Sequence, residues 1–255
     1  MLKRELDIFF ATLMFYTRIP VPSGTGHSED VLNKTTKYFT LVGIIVGAIG
    51  SLTFWALDFV FPSNLAIILS VIVTLFVTGA FHEDGFADTC DGFGGGYTKE
   101  KVLEIMKDSR IGTYGATGLL MILLIKFCSL SSIPVAVIPI VLISGHAFSR
   151  FWSVCMLYTQ SYVRPAAQSK SKPLGHKASG NSFWIAAFFG VSPLLLLPPV
   201  SIIYISVLCL IVFMVFSSYT KRRIGGYTGD VLGATQQLCE VSFYLGYLLY
   251  IHFSQ

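Results

Sequence analysis

Seven apolar stretches of 16 to 24 residues govern what this chain can become: Leu41–Phe61, Asn64–Phe81, Ala116–Ser132, Pro134–Leu157, Ser182–Pro198, Ser201–Phe216 and Leu238–Phe253. Such lengths lie in or near the range of a membrane-crossing helix, and a lone segment in hydrocarbon satisfies its backbone only by coiling into one. Composition agrees. Hydrophobic residues make up 53% of the 255 and charged residues only 13%, with a mean hydropathy of +0.68. That is too little charge to coat a soluble domain of this size. The chain reads as an all-α, polytopic integral membrane bundle of about 6–7 transmembrane helices, a single membrane-embedded domain over residues 1–255.

The basic residues orient it. Lys3, Arg4, Arg18, Lys34 and Lys37 precede the first stretch, and Lys99, Lys101, Lys107 and Arg110 separate the second from the third. Arg164, Lys170, Lys172 and Lys177 lie between the fourth and fifth, and Lys221, Arg222 and Arg223 between the sixth and seventh. The intervening connections near Pro62, Ile133 and Pro199 have neither Lys nor Arg. This alternation predicts that every long polar loop faces the cytoplasm, with the protein integral to the cytoplasmic (inner) membrane. Leu6–Tyr16 is too short to span and lacks a small-residue cleavage site after it, so it is expected to form an interfacial or re-entrant helix. The five cysteines show no paired spacing and are expected to be reduced.

The chemistry concentrates where the second stretch ends, in HEDGFADTCDG from His82 to Gly92. Asp84, Asp88 and Asp91 stand at i, i+4 and i+7 and share one face of a helix. Three carboxylates on one stripe repel unless a divalent cation neutralises them, and an all-oxygen set suits Mg²⁺, with Mn²⁺ as a second choice. Gly85, Ala87 and Gly92 are expected to keep the surface beside the carboxylates bare for a bulky phosphate ligand. Glu83 points to another face and is set aside. His82 could serve as a base or a ligand, or hold a structural hydrogen bond. Helix breaks are expected at Gly92 and Gly94-Gly95-Gly96. A short amphipathic helix, Lys99–Lys107, should follow, with Thr98 as its N-cap.

Lys107-Asp108-Ser109-Arg110 is expected to clamp a pyrophosphate through Lys107 and Arg110, with Asp108 a further metal ligand. A surface salt bridge is the alternative. Arg150 and Lys126 lie within apolar stretches, where a charge requires a partner or a water-filled cavity. Asp230, in GGYTGDVLGA from Gly225 to Ala234, either caps the last helix or forms the opposite wall of the phosphate site.

In order along the chain, Thr17-Arg18-Ile19-Pro20-Val21-Pro22, the His82–Gly92 motif, Met106-Lys107-Asp108-Ser109-Arg110-Ile111-Gly112 and the Gly225–Ala234 motif resemble the cobalamin synthase family, the adenosylcobinamide-GDP ribazoletransferases. Phe86 departs from the leucine more usual in the family, and the loop 159–181 matches it poorly.

The resemblance implies an Mg²⁺-dependent phosphotransferase in the last steps of cobalamin nucleotide-loop assembly. It would move the adenosylcobinamide-phosphate moiety of adenosylcobinamide-GDP to α-ribazole or α-ribazole 5′-phosphate and release GMP. Asp84, Asp88, Asp91 and Asp108 are then the expected metal ligands. Asp91, His82, Lys107 and Arg110 are the expected catalytic groups, with Asp91 as proton acceptor. Ser109, Arg150, Asp230, Gly85 and Arg18 are the expected substrate-binding residues. The partners implied are the two substrates and the lipid bilayer, with no nucleic acid and a homo-oligomer left open.

Two other readings stay in view. A CDP-alcohol phosphotransferase of phospholipid synthesis also carries spaced carboxylates in a membrane helix, but its further aspartates are absent here. A divalent-metal transporter would carry acids deep in several spans.

Overall fold

The structure is a computed structural model that describes residues 2–26, 31, 33–163 and 180–254. Among these residues it forms ten α-helices and no β-strand: α1 (Leu2–Tyr16), α2 (Phe39–Asp58), α3 (Ser63–Thr78), α4 (Phe81–Gly95), α5 (Lys99–Ile105), α6 (Thr113–Ser131), α7 (Ile138–Thr159), α8 (Gly180–Val191), α9 (Pro199–Ile224) and α10 (Gly229–Phe253). The chain is an all-α membrane protein. Four helical segments are long and apolar enough to cross a bilayer: Thr35–Asp58, Thr113–Ser131, Val135–Thr159 and Pro199–Ile224. A fifth arises if the bent pair α3–α4 counts as one span.

That bend corrects the expected second span. The helix does not run on to Phe81. It stops at Thr78, and Gly79 and Ala80 both adopt left-handed backbone (φ 63° and 54°) before α4 leaves at 88° to α3. A Cβ at Gly79 would stand 2.5 Å from the Arg18 Nε, so a side chain there would both strain the left-handed turn and displace the guanidinium packed on it. The acidic stripe therefore sits on a helix of its own. That helix continues through Gly92 and Gly94, and ends only at Gly96.

Two further expectations are also revised. The stretch Ser182–Pro198 is a 12-residue helix followed by a 3₁₀ turn at Ser192–Leu196. The stretch Leu238–Phe253 is the second part of a 25-residue helix whose first half buries polar side chains. Arg164, Lys170, Lys172 and Lys177 lie outside the described residues.

α2 and α7 form the most extensive helix pair. Gly47 makes their approach possible, because a Cβ there would meet the Ile143 Cα at 2.7 Å. α10 runs through the centre, packed on α4, α6, α7 and α9. α9 turns Ile203, Val207, Leu210, Met214 and Val215 outward as a lipid-facing surface. At the N-terminus Glu5 accepts hydrogen bonds from Lys37 and Tyr38 and ties α1 to the turn Thr35–Tyr38. These donors hold the Glu5 carboxyl below its ordinary value.

Candidate active site

α4 is the floor of the site. Asp84 on it is exposed, Asp88 half-buried and Asp91 buried. The N-terminal ends of two other helices flank the stripe. On one side the Asp91 carboxylate accepts the backbone N–H of Gly112 (2.7 Å) and of Gly115 (2.8 Å), closing the first turn of α6. Negative charge there also complements the helix dipole. Side chains at either glycine would overlap the carboxylate, since a Cβ would lie 2.4 Å from Oδ1 and 2.3 Å from Oδ2 respectively.

On the other side α10 begins, N-capped by Thr228, whose hydroxyl accepts the Val231 N–H. Asp230 is thus a first-turn residue and not the cap. Gly85 lies directly under it: a Cβ at Gly85 would be 3.0 Å from both the Asp230 Cα and its carbonyl oxygen. Asp84 and Asp88 lie in the angular interval of α4 between these two contacts.

The small residues of the motif therefore act differently from expectation. Gly85, Ala87 and Gly92 are buried. They let α10, α6 and the Met106 side chain approach α4 closely, and do not leave open surface.

A cleft of ≈ 870 Å³ opens beside Asp91 and is lined also by Lys101, Lys107, Asp108, Arg110 and Thr113. Arg110 is 87% exposed, and its guanidinium binds the Asp108 carboxylate (Nη2–Oδ2 2.6 Å, Nε–Oδ1 3.0 Å). That pairing raises the Arg110 pKa. Ser109 beside them is exposed. The chain thus brings Lys107, Asp108 and Arg110 to the same cleft as Asp91. The short helix α5 that leads there is capped by Thr98 as expected.

Other expected site residues lie elsewhere. His82 is on the opposite side of α4 from Asp84, buried and stacked on Tyr16 (6.4 Å, 8°) and Phe39 (5.7 Å, 29°). Arg18 sits at the α3–α4 bend, its backbone N–H bonded to the Val77 carbonyl. Arg150 is 1% exposed and donates to the His146 carbonyl on its own helix at 2.8 Å.

The four-carboxylate metal array is not assembled: among the described residues no three His, Cys, Asp or Glu side chains converge as a metal-binding group. Asp91 is engaged by backbone N–H groups and Asp108 by Arg110. Mg²⁺ takes one or two carboxylates and completes its shell with water and phosphate, and Asp84 and Asp88, one helical turn apart on the stripe, are a pair that such an ion would suit.

What the motifs did not reveal is a buried polar network behind α4. The Gln237 amide donates to Glu83 (2.8 Å) and to Gln236 (2.7 Å). Gln236 donates to Glu240 (2.6 Å) and Ser149 (3.0 Å). Lys126 pairs with Glu240 at 2.9 Å and donates to Gln237 at 3.2 Å, and Tyr244 donates to Glu240 at 3.0 Å. Glu83, set aside from the sequence, is thereby tied into the core. The spacing of Gln236, Glu240 and Tyr244, one residue every four, was the signal that could have found it.

The chain matches the family model described as cobalamin-5-phosphate synthase over residues 8–248. It belongs to the cobalamin-5-phosphate synthase family. It is 43% identical to the adenosylcobinamide-GDP ribazoletransferase of Shewanella frigidimarina over 246 residues, 95% of this chain and 94% of that protein. It is likewise 43% identical to the enzyme of that name from Shewanella amazonensis, over 97% and 96% of the two chains. The Shewanella oneidensis enzyme is 40% identical over 94% and 93%. No solved structure matches the chain. Membership of the cobalamin-5-phosphate synthase family leaves the phospholipid and transporter readings without support.

Proposed function

We propose that this chain is an adenosylcobinamide-GDP ribazoletransferase: it joins the adenosylcobinamide-phosphate moiety to α-ribazole or its 5′-phosphate, giving adenosylcobalamin or adenosylcobalamin 5′-phosphate, and releases GMP. The observation that carries the reading is identity of about 40% along nearly the whole chain to enzymes of that name. The site is compatible with it, since it sets a carboxylate pair against two helix N-termini and a cleft with basic residues.

In this reading a ribose hydroxyl attacks the phosphorus attached to cobinamide. The new O–P bond forms as the bond to the bridging oxygen breaks, and GMP leaves with that oxygen. Such a transfer needs charge neutralisation and in-line positioning more than covalent catalysis. Mg²⁺ (or Mn²⁺), held by Asp84 and Asp88, would neutralise charge on the pyrophosphate. Lys107 and Arg110 orient the pyrophosphate from the cleft side, with Arg110 exchanging its Asp108 partner for phosphate oxygens. The hydroxyl proton would pass to a stripe oxygen that is not bonded to the metal, and Asp84, the most exposed of the three, can offer one, whereas both Asp91 oxygens accept backbone N–H groups. The distribution of Lys and Arg supports a site that faces the cytoplasm.

The test is GMP release by membranes containing the protein, given adenosylcobinamide-GDP and α-ribazole. Expected is release matched by formation of the cobalamin, stopped by chelator and restored by Mg²⁺. No GMP release from the complete mixture would refute the activity, and release unaffected by chelator would refute the metal.

A further inference from the structure

A second space lies across α4 from the acidic stripe, where α1, α4, α7 and α10 meet. Its empty volume, including the part open to solvent, is ≈ 490 Å³. Phe15, Tyr16, Phe39 and Phe81 line it, and the His82 ring stands among them, stacked on Tyr16 and Phe39. Two polar atoms on this wall have no hydrogen-bond partner, His82 Nε2 and Thr36 Oγ1, on residues only 2% and 3% exposed. Buried polar atoms are nearly always paired, so two orphans on one pocket mark a place where a ligand completes the bonding.

The lining specifies that ligand. Aromatic walls favour a flat ring system stacked between them. A wall with so few hydrogen-bonding atoms suits a ring with one acceptor nitrogen, which needs a single donor, and leaves most of a guanine edge unpaired. Gly229 also lines the pocket, and its neighbour Asp230 packs on Gly85 of the acidic helix, so the first turn of α10 is shared by this wall and the stripe.

We propose that this pocket binds the benzimidazole-type base of the acceptor nucleoside, stacked on the aromatic wall with the Thr36 hydroxyl donating to its one acceptor nitrogen. The proposal rests on the transferase reading for the nucleoside's identity.

Thr36→Val is the deciding variant, because it keeps the shape and removes only a hydroxyl that bonds nothing in the protein. Its thermal stability should equal that of the wild type. Its KM for α-ribazole should rise about tenfold, as for one lost hydrogen bond, with the KM for adenosylcobinamide-GDP unchanged. Gly229→Phe, placed on the pocket lining where a Cβ meets open space, should raise the same KM by filling the pocket. Free 5,6-dimethylbenzimidazole should compete with α-ribazole and not with adenosylcobinamide-GDP.

Wild-type turnover with an unaltered α-ribazole KM in both variants would overturn the pocket and leave the transferase standing. Calorimetric binding of 5,6-dimethylbenzimidazole reads the pocket even without turnover. Failure of the wild type to bind it, or equal binding by Thr36→Val, would overturn the proposal.

Discussion

Asp84 and Asp91 are the same residue type on the same stripe, yet their surroundings give them opposite duties. Asp84 reaches solvent, whereas Asp91 spends both oxygens on the first turn of α6. Asp91→Ala should therefore lower stability by about 1–2 kcal/mol, the loss expected when a side-chain helix cap is removed. The thermal midpoint in detergent should fall with it. Asp84→Asn should leave that midpoint unchanged and reduce turnover by about 10²-fold or more, the usual cost of removing an electrostatic contact to a transferring group. A thermal midpoint lowered by Asp84→Asn and untouched by Asp91→Ala would reverse the assignment.

Among the elements, α10 does the most. Its first turn packs on Gly85, and its next turns carry Gln236, Gln237, Glu240 and Tyr244 into the bundle. Four helices meet there, since Glu83 comes from α4, Lys126 from α6, and Ser149 from α7. Breaking one partner of a buried pair strands the other charge, at about 3–5 kcal/mol. Lys126→Met should accordingly be severely destabilising, and Lys126→Met/Glu240→Gln should regain part of the loss because the two paired charges are removed together. Denaturant titration in detergent measures both. A double variant as unstable as the single one would mean that the pair contributes through shape and not charge. Glu83→Gln belongs with this network, and its effect should be read as stability before turnover.

At the scale of the whole molecule the open question is direction. Tyr97, between α4 and α5, is 95% exposed and close in sequence to the cleft residues. The alternation of basic loops favours the cytoplasm. Tyr97→Cys should therefore take up a membrane-impermeant maleimide above the level of the parent chain only after cells are opened. Labelling from outside intact cells would invert the topology and place the site on the wrong side for nucleotide substrates.

Membership in the all-α membrane class was legible in the apolar stretches alone, because hydrocarbon leaves a backbone few alternatives. The acidic stripe was legible as well, since i, i+4, i+7 spacing is a local property of a helix. Two local signals were weaker than the geometry they preceded. Gly79-Ala80 gave no sequence warning of an 88° bend, because Ala80 takes a left-handed conformation that only its surroundings impose. The glycines of the motif looked like open surface because a sequence shows small size and not what fills the space.

The roles of Asp91 and Glu83, and the partners of Lys126, were decided by tertiary structure alone. Each depends on groups 21 to 154 residues away in the chain, and local periodicity carries no information about which distant helix will arrive against a given face.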